Sequence, residues 1–465
     1  MKRYFAALTT TALALIGAPI FAALGAQPAV AEEDKSAGVS SDAEVLLELF
    51  QKKGILTPAE AAEARKAIAS RKGAPEAAPE TPSLVLNKTL KALQLYGDAR
   101  LRFERREGRA PEGDAVERDR FRYRLRLGAK GDLGEGFFYG VRLETSDSPR
   151  SSNLTFGDDR GPWGKGEDKI NVGRLYLGWR PADWLTLEAG RLANPIVSSR
   201  LVWDPDLNPE GAAERFQAAF GRTRFFAVFG QFLYDDVDPE NPFGTGALRG
   251  DAFLLAWQVG AETPLASKAT ALIAPALYNY TGSGDYGGVY DPASGPPGQT
   301  AINDLLVLDV PAEVRFALGP LPVKAFGQLA VNLQGDRRAA RARALNPAAY
   351  PGSGDENLAW RAGLALGKLG GKKDWKLEAF WMRQELFALD PNLVDSDLYD
   401  SVLNFEGLAV SFSYAFTDNI FGSAAYAWGD RANKHLPTGL GGDLYRVGSS
   451  LNDYRLVQLD LSWRF

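Results

Sequence analysis

Arginine recurs at every second residue in two short stretches of this sequence. Arg100 and Arg102 stand in LQLYGDARLRF (93–103), and Arg120, Arg122, Arg124 and Arg126 in RFRYRLRLGAK (120–130). Guanidinium groups at that spacing repel one another unless they meet carboxylates or soluble anions. Arg142 and Arg174 add to the same side of the pattern. Carboxylates gather elsewhere: Asp204, Asp206 and Glu210 fall in DPDLNPEG, shortly after Arg191. Acids facing a basic wall across a narrow wet passage would set up a transverse field that concentrates counter-ions. The chemistry expected of these residues is ion recognition, not bond-making.

Catalysis finds little support. His435, in DRANKHLPTGLGGD, is the only histidine, and cysteine is absent. A Ser-His-Asp arrangement would have to use that one loop residue, so no catalytic residue is assigned and the chain is not read as an enzyme. The oxygen-rich stretches DPDLNPEG and YDDVDPENP (234–242) have spacing that could hold Ca²⁺. They lack the twelve-residue EF-hand pattern, so the expectation is carboxylates that are solvated or paired with arginine. GSGDYGG is followed by neither a helix nor a GK[ST] element, so it is no phosphate-binding loop. No metal or cofactor is assigned. A net charge of −5 gives no pull toward nucleic acid.

The elements that must position these residues read as strands. In 93–103, Leu93, Leu95, Ala99, Leu101 and Phe103 share one parity, and Gln94, Asp98, Arg100 and Arg102 the other. In 120–127, Phe121, Tyr123, Leu125 and Leu127 alternate with the four arginines. YRLVQLDLSWRF (454–465) repeats the pattern, with Val457, Leu459, Leu461, Trp463 and Phe465 opposite Gln458, Asp460, Ser462 and Arg464. A strict period of two is a strand with two unlike faces. Sixteen such segments are found between 91 and 465, less cleanly alternating after the third.

Their connections alternate in length. Short turns at 131–136, 181–183, 221–224, 262–268, 319–321, 370–374 and 417–419 are separated by long polar loops such as 147–168, 235–250, 282–303, 334–356 and 430–452. After the N-terminus no run of 18 or more uncharged apolar residues offers a membrane helix. Even strand count, short turns at one end, long loops at the other and apolar-out, polar-in alternation describe an all-β transmembrane antiparallel β-barrel of about 16 strands. Aromatic residues beside the short turns form the expected interfacial girdle: Phe137, Trp179, Trp184, Trp375, Tyr414, Phe416, Phe421, Trp463 and Phe465.

The N-terminus completes the organisation. Residues 1–31 carry Lys2 and Arg3, an apolar run and Ala29-Val30-Ala31, the layout of a signal peptide cleaved after Ala31. Residues 32–71 are expected to form a short periplasmic helical segment, with Gly54 and Thr57-Pro58 separating two helices. Residues 72–90 are a Pro/Ala-rich linker.

One stretch carries a family resemblance. LEAGRLANPIVSSRLVWDPDLNPEGAA (187–213) resembles the Gly-Arg-x-x-Asn-Pro turn and Trp-Asp-x-Asp-Leu-Asn-Pro-Glu-Gly segment of the Gram-negative “putative porin” group. Here these are Gly190, Arg191, Asn194, Pro195, Trp203, Asp204, Asp206, Leu207, Asn208, Pro209, Glu210 and Gly211. The resemblance implies an outer-membrane location and a water-filled channel for passive diffusion of small hydrophilic solutes and ions. A substrate-selective channel for anions such as phosphate, pyrophosphate or organic acids is the alternative it leaves open. It also implies that this loop folds into the barrel as a constriction bearing Arg191, Asp204, Asp206 and Glu210. The pore-lining basic wall of Arg100, Arg102, Arg120, Arg122, Arg124, Arg126, Arg142 and Arg174 would stand opposite. Implied partners are outer-membrane lipid and lipopolysaccharide, the barrel-assembly machinery and, by analogy with general porins, two further copies in a homotrimer.

Overall fold

A computed structural model of the chain describes residues 92–146, 150–158, 169–236, 251–281, 304–352, 354, 356–438 and 451–465, with the isolated positions 57 and 62. Apart from those two positions, the expected signal peptide, helical segment and linker lie outside the described residues. Eighteen β elements follow in order: β1 (Ala92–Arg109), β2 (Ala115–Gly134), β3 (Phe137–Thr145), β4 (Leu154–Thr155), β5 (Ile170–Ala182), β6 (Leu185–Arg191), β7 (Glu210–Phe220), β8 (Thr223–Asp235), β9 (Ala252–Ala266), β10 (Ala269–Ile273), β11 (Ala276–Thr281), β12 (Leu306–Leu318), β13 (Leu321–Asn332), β14 (Leu358–Gly367), β15 (Trp375–Gln384), β16 (Phe405–Ala415), β17 (Ile420–Arg431) and β18 (Asp453–Arg464). They make sixteen crossings. β4 is a two-residue clip on β2, and β10 and β11 are one crossing interrupted at Ala274–Pro275.

Every ladder is antiparallel, and β1 pairs with β18, so the sheet closes on itself. Closure removes the edge that an open sheet would leave in lipid. At the seam Gly97 N donates to Phe465 O at 2.8 Å and Phe465 N donates to Gly97 O at 3.1 Å. Gly97 is required there because a Cβ would lie 2.5 Å from the Phe465 ring. On another hairpin, β12 turns into β13 through Gly319 with φ +60°, the left-handed start that a two-residue hairpin demands.

The outer face follows the sequence pattern. Leu101, Phe121, Leu125, Leu175, Val259 and Leu461 are exposed on the apolar parity. Aromatic pairs ring the short-turn end, among them Phe137 on Trp179 at 5.5 Å and Tyr414 on Phe416 at 5.3 Å. Phe421 departs from the expected girdle. It is buried on the parity of Ser462, inside the barrel, under the Arg464 guanidinium at 4.6 Å.

The inner face is not uniformly polar. On β9, β11 and β12 the inward residues Leu254, Ala256, Tyr278 and Val307 are buried. They join one apolar cluster with Leu201, Val202 and Trp203 of the loop 192–209 and Phe387, Leu398 and Leu403 of the loop 385–404. Both loops run from the long-loop end into the barrel. This explains why alternation fades in these strands: one face meets lipid and the other meets infolded loops, so both are apolar. Near the short turns inward rings lie on bare backbone instead, as Tyr96 does over Gly128 and Phe226 over Gly260.

Candidate channel lining

Neutral amides hold the loop 192–209 in place. Gln258 of β9 accepts from Val197 N at 2.8 Å and donates to Val197 O at 2.9 Å. Gln384 of β15 donates to Leu201 O at 2.9 Å, and Gln328 of β13 hydrogen-bonds Ser199. Trp203 Nε1 donates to Leu207 O at 3.1 Å, fixing the ring against Phe232 and Tyr278.

The loop 385–404 contains one helical turn, α2 (Ser396–Tyr399); a longer helix, α1 (Gly335–Leu345), lies in the loop before β14. Asp395 caps α2 by accepting from Asp397 N. The two infolded loops lock together. Asp204 N donates to Leu393 O at 2.6 Å, and Ser396 N and Oγ donate to Asp204 Oδ2 at 2.9 and 2.7 Å. Arg200 Nη1 donates to Asp395 Oδ2 at 3.0 Å.

The arginine row faces inward as its parity requires, and its upper part is covered. Glu104, fully buried, accepts from Arg106 Nε at 3.0 Å, Arg120 Nε at 2.7 Å and Gln458 Nε2 at 2.9 Å. Arg102 forks onto Asp460 at 2.7 and 3.0 Å and reaches Asp397 at 3.1 Å. Arg106 donates to Asp400 Oδ1 at 2.8 Å. Arg122 donates to Asn153 O at 3.1 Å, and Arg100 donates to Asn153 Oδ1 at 2.5 Å. Arg102, Arg106, Arg120 and Arg122 are all buried.

Nearer the short turns the wall is more open. Arg124 and Arg126 share Asp98 at 2.7 and 2.8 Å, and both approach Asp206 Oδ1, at 3.8 and 3.7 Å. Arg142 pairs with Glu144, and Arg174 Nε donates to Asn208 Oδ1 at 2.9 Å. On the opposite wall Arg224, Glu262, Arg315, Glu313 and Lys324 alternate in sign across β8, β9, β12 and β13. The Arg224 and Arg315 side chains are 58% and 54% exposed although they point inward, so the short-turn half holds water.

Of the expected constriction residues, only Asp206 approaches the arginine row. Asp204 turns to the loop 385–404, and Glu210 ion-pairs with Arg191. The carboxylates that engage the upper row come from Glu104, Asp460, Asp397 and Asp400. Sequence reasoning missed Asp397 and Asp400 because that loop was not singled out. The inward glutamines were a readable signal, one near mid-strand on the polar parity of each of β9, β13 and β18. Burial and the nearby Asp395 push the Asp204 carboxyl up to about 7. Burial also raises Asp395 despite Arg200. For Asp397 burial is outweighed by Arg102, Arg100 and Arg200, which hold it well below the usual carboxylate range.

At the long-loop end a cavity of about 700 Å³ opens between the loops. Trp203, Phe232 and Leu254 line it on one side, and Glu144, Asp206 and Asn208 on another. Among the described residues no group of His, Cys, Asp or Glu is arranged to hold a metal ion.

A closed sixteen-crossing barrel with an apolar outside, paired ions within and loops folded inward is a transmembrane β-barrel of channel type. Residues 106–284 match the family model described as “Putative porin”, and that span includes the Gly190–Gly211 motif, so the porin resemblance holds in the family model as well as in the motif. Among solved structures, OmpF of Salmonella typhi in complex with daunomycin is 9% identical over 82% of this chain and 99% of that one, with a TM-score of 0.42. An anion-selective porin from Comamonas acidovorans is 14% identical over 80% and 99%, with a TM-score of 0.44. OprB of Pseudomonas putida is 10% identical over 80% and 94%, with a TM-score of 0.47. No curated protein sequence matches the chain.

Proposed function

We propose that the chain is an outer-membrane porin of a Gram-negative bacterium, a passive channel for small hydrophilic solutes and ions. The observation that carries this reading is the exposed, sign-alternating ion network on the inner wall of the short-turn half. Charged side chains that stay exposed on the inner wall of a membrane barrel mark a lumen that water reaches. The short turns face the periplasm, and the infolded loops descend from the outer surface and narrow the passage. Residues 1–31 direct export and are cleaved after Ala31. Barrel-assembly machinery inserts the product beside lipopolysaccharide, and three copies assemble. The permeation path passes Arg124, Arg126, Arg142 and Arg174, while the buried upper arginines brace the loop 385–404.

The test is purified protein reconstituted into a planar bilayer in KCl. Stepwise, steady conductance increments are expected, and a folded barrel that inserts without conducting would overturn the reading. Vesicle swelling in small sugars extends the test to uncharged solutes.

A further inference from the structure

The arginine wall contains one patch whose charges are not closed. Arg126 on β2, Arg142 on β3 and Arg174 on β5 stand on neighbouring strands, and Arg142 and Arg174 are direct cross-strand partners. Like charges directly opposite destabilise a sheet. With Arg124 the patch holds four cations against three carboxylates, Asp98, Glu144 and Asp206. The contact to Asp206 is loose, since its Oδ1 lies 3.7 Å from Arg126 and 3.8 Å from Arg124, too far for a hydrogen bond.

Arg142 adds an independent sign. It is 5% exposed, and among the described residues its Nε has no hydrogen-bond acceptor. Its Nη2 is ion-paired with Glu144 Oε2 at 2.7 Å. Buried donors without acceptors are uncommon and costly. Across from Arg142 is Gly128, so no side chain fills the wall there except the Tyr96 ring. Three residues that contact the patch, Glu144, Asp206 and Asn208, also line the 700 Å³ cavity, so a solute in the cavity reaches them directly.

We propose that this patch is a binding site for a small dianionic oxyanion, with the chemistry shared by inorganic phosphate and short dicarboxylates. Arg126 and Arg174 meet the anion first, and the Arg142 guanidinium takes a further oxygen as Glu144 gives way. Asp206 at present stands where the anion's charge would sit. Guanidinium forks suit such oxygens better than a spherical ion such as chloride. This assignment rests on the porin reading and names the solute class of that channel.

The experiment is single-channel current in KCl while sodium phosphate or sodium succinate is added. Saturable reduction of chloride current by either anion is expected, and whichever acts at lower concentration identifies the source. Arg142→Gln and Arg174→Gln should each raise the half-blocking concentration by about tenfold or more, as expected for loss of a charge-assisted bidentate contact. Heat-dependent migration in detergent gels shows that each variant is folded. Steady conductance with no saturable effect of either anion, or block unchanged in both folded variants, would overturn the site and leave the porin reading intact. A folded protein that never conducts would remove both.

Discussion

The two sides of the barrel hold the same infolded loops by different physics. On the β1–β2 side Glu104, Asp397, Asp400 and Asp460 knit buried arginines to the loop 385–404. On the β9–β15 side apolar contacts and the amides of Gln258, Gln328 and Gln384 seat the loop 192–209. A buried ion network gains little net stability when complete, yet loses much when one partner is removed. An apolar seat with neutral hydrogen bonds loses in proportion to what is deleted. One side should therefore be brittle to single changes of charge and the other graded.

The sharpest test of that contrast is Glu104→Ala. It removes from a buried site the carboxylate that Arg106 and Arg120 share, while Arg106 keeps Asp400, and a loss of about 3–5 kcal/mol is expected. Urea unfolding in detergent micelles measures it, and a loss below 1 kcal/mol would erase the brittleness assigned to this side. The contrast also depends on which parity faces inward. Leu459→Arg puts a cation on the outer face and should cost about 2–4 kcal/mol if it lies near the bilayer midplane. Ser462→Arg, on the inner parity, should insert nearly as wild type does, and equal insertion defects would mean a register slip of one residue.

On the graded side, Gln258→Ala leaves Val197 N–H and C=O without their partner and should cost about 1–3 kcal/mol. Its clearer sign should be noisier single-channel current as the loop 192–209 loosens. Quiet current with unchanged stability would show that the apolar contacts suffice.

The smallest effect is expected from pH, at the junction of the loops. The folded Asp204 carboxyl is raised to about 7 from an ordinary value near 3.8, so its favourable contribution is complete at low pH and lost as pH rises through 7. Asp397, held low, acts in the opposite sense and only below its ordinary range. Between pH 5 and 8 the thermal midpoint of wild type should therefore fall relative to that of Asp204→Asn. Parallel curves would mean that Asp204 is ionised throughout.

Much of this architecture was legible in the alternation of polar and apolar residues, but only where the two faces meet different media. RFRYRLRLGAK reads at once because Phe121 meets lipid and Arg120 meets the Glu104 carboxylate. AFLLAWQVG (252–260) reads poorly because Phe253 meets lipid while Leu254 meets the infolded loops. Alternation reports what a face touches, not which way it points. The candidate site was read in part for the same reason. The arginine parity follows from local spacing, but the Arg102 partners Asp397 and Asp460 lie 295 and 358 residues away in the chain. No local pattern separates an acid that docks a buried arginine from one that is solvated. The loop 192–209 stood out through its Trp-Asp-Pro-Asp motif, yet its direction of reach was set by glutamines on distant strands.

The seam between β1 and β18 has a consequence for how the molecule comes into being. Gly97 and Phe465 are 368 residues apart, so the pairing that closes the cylinder is also the most entropically demanding to form. No contact on the nascent chain can rehearse it. Until β18 is delivered, β1 and β17 each present a bare row of hydrogen-bonding groups, open to any passing strand. The same late strand brings Gln458 and Asp460, which grip Glu104 and Arg102. Closure of the wall and ordering of its interior are thus one event in time, and an open-edged intermediate is the state that must survive until it happens.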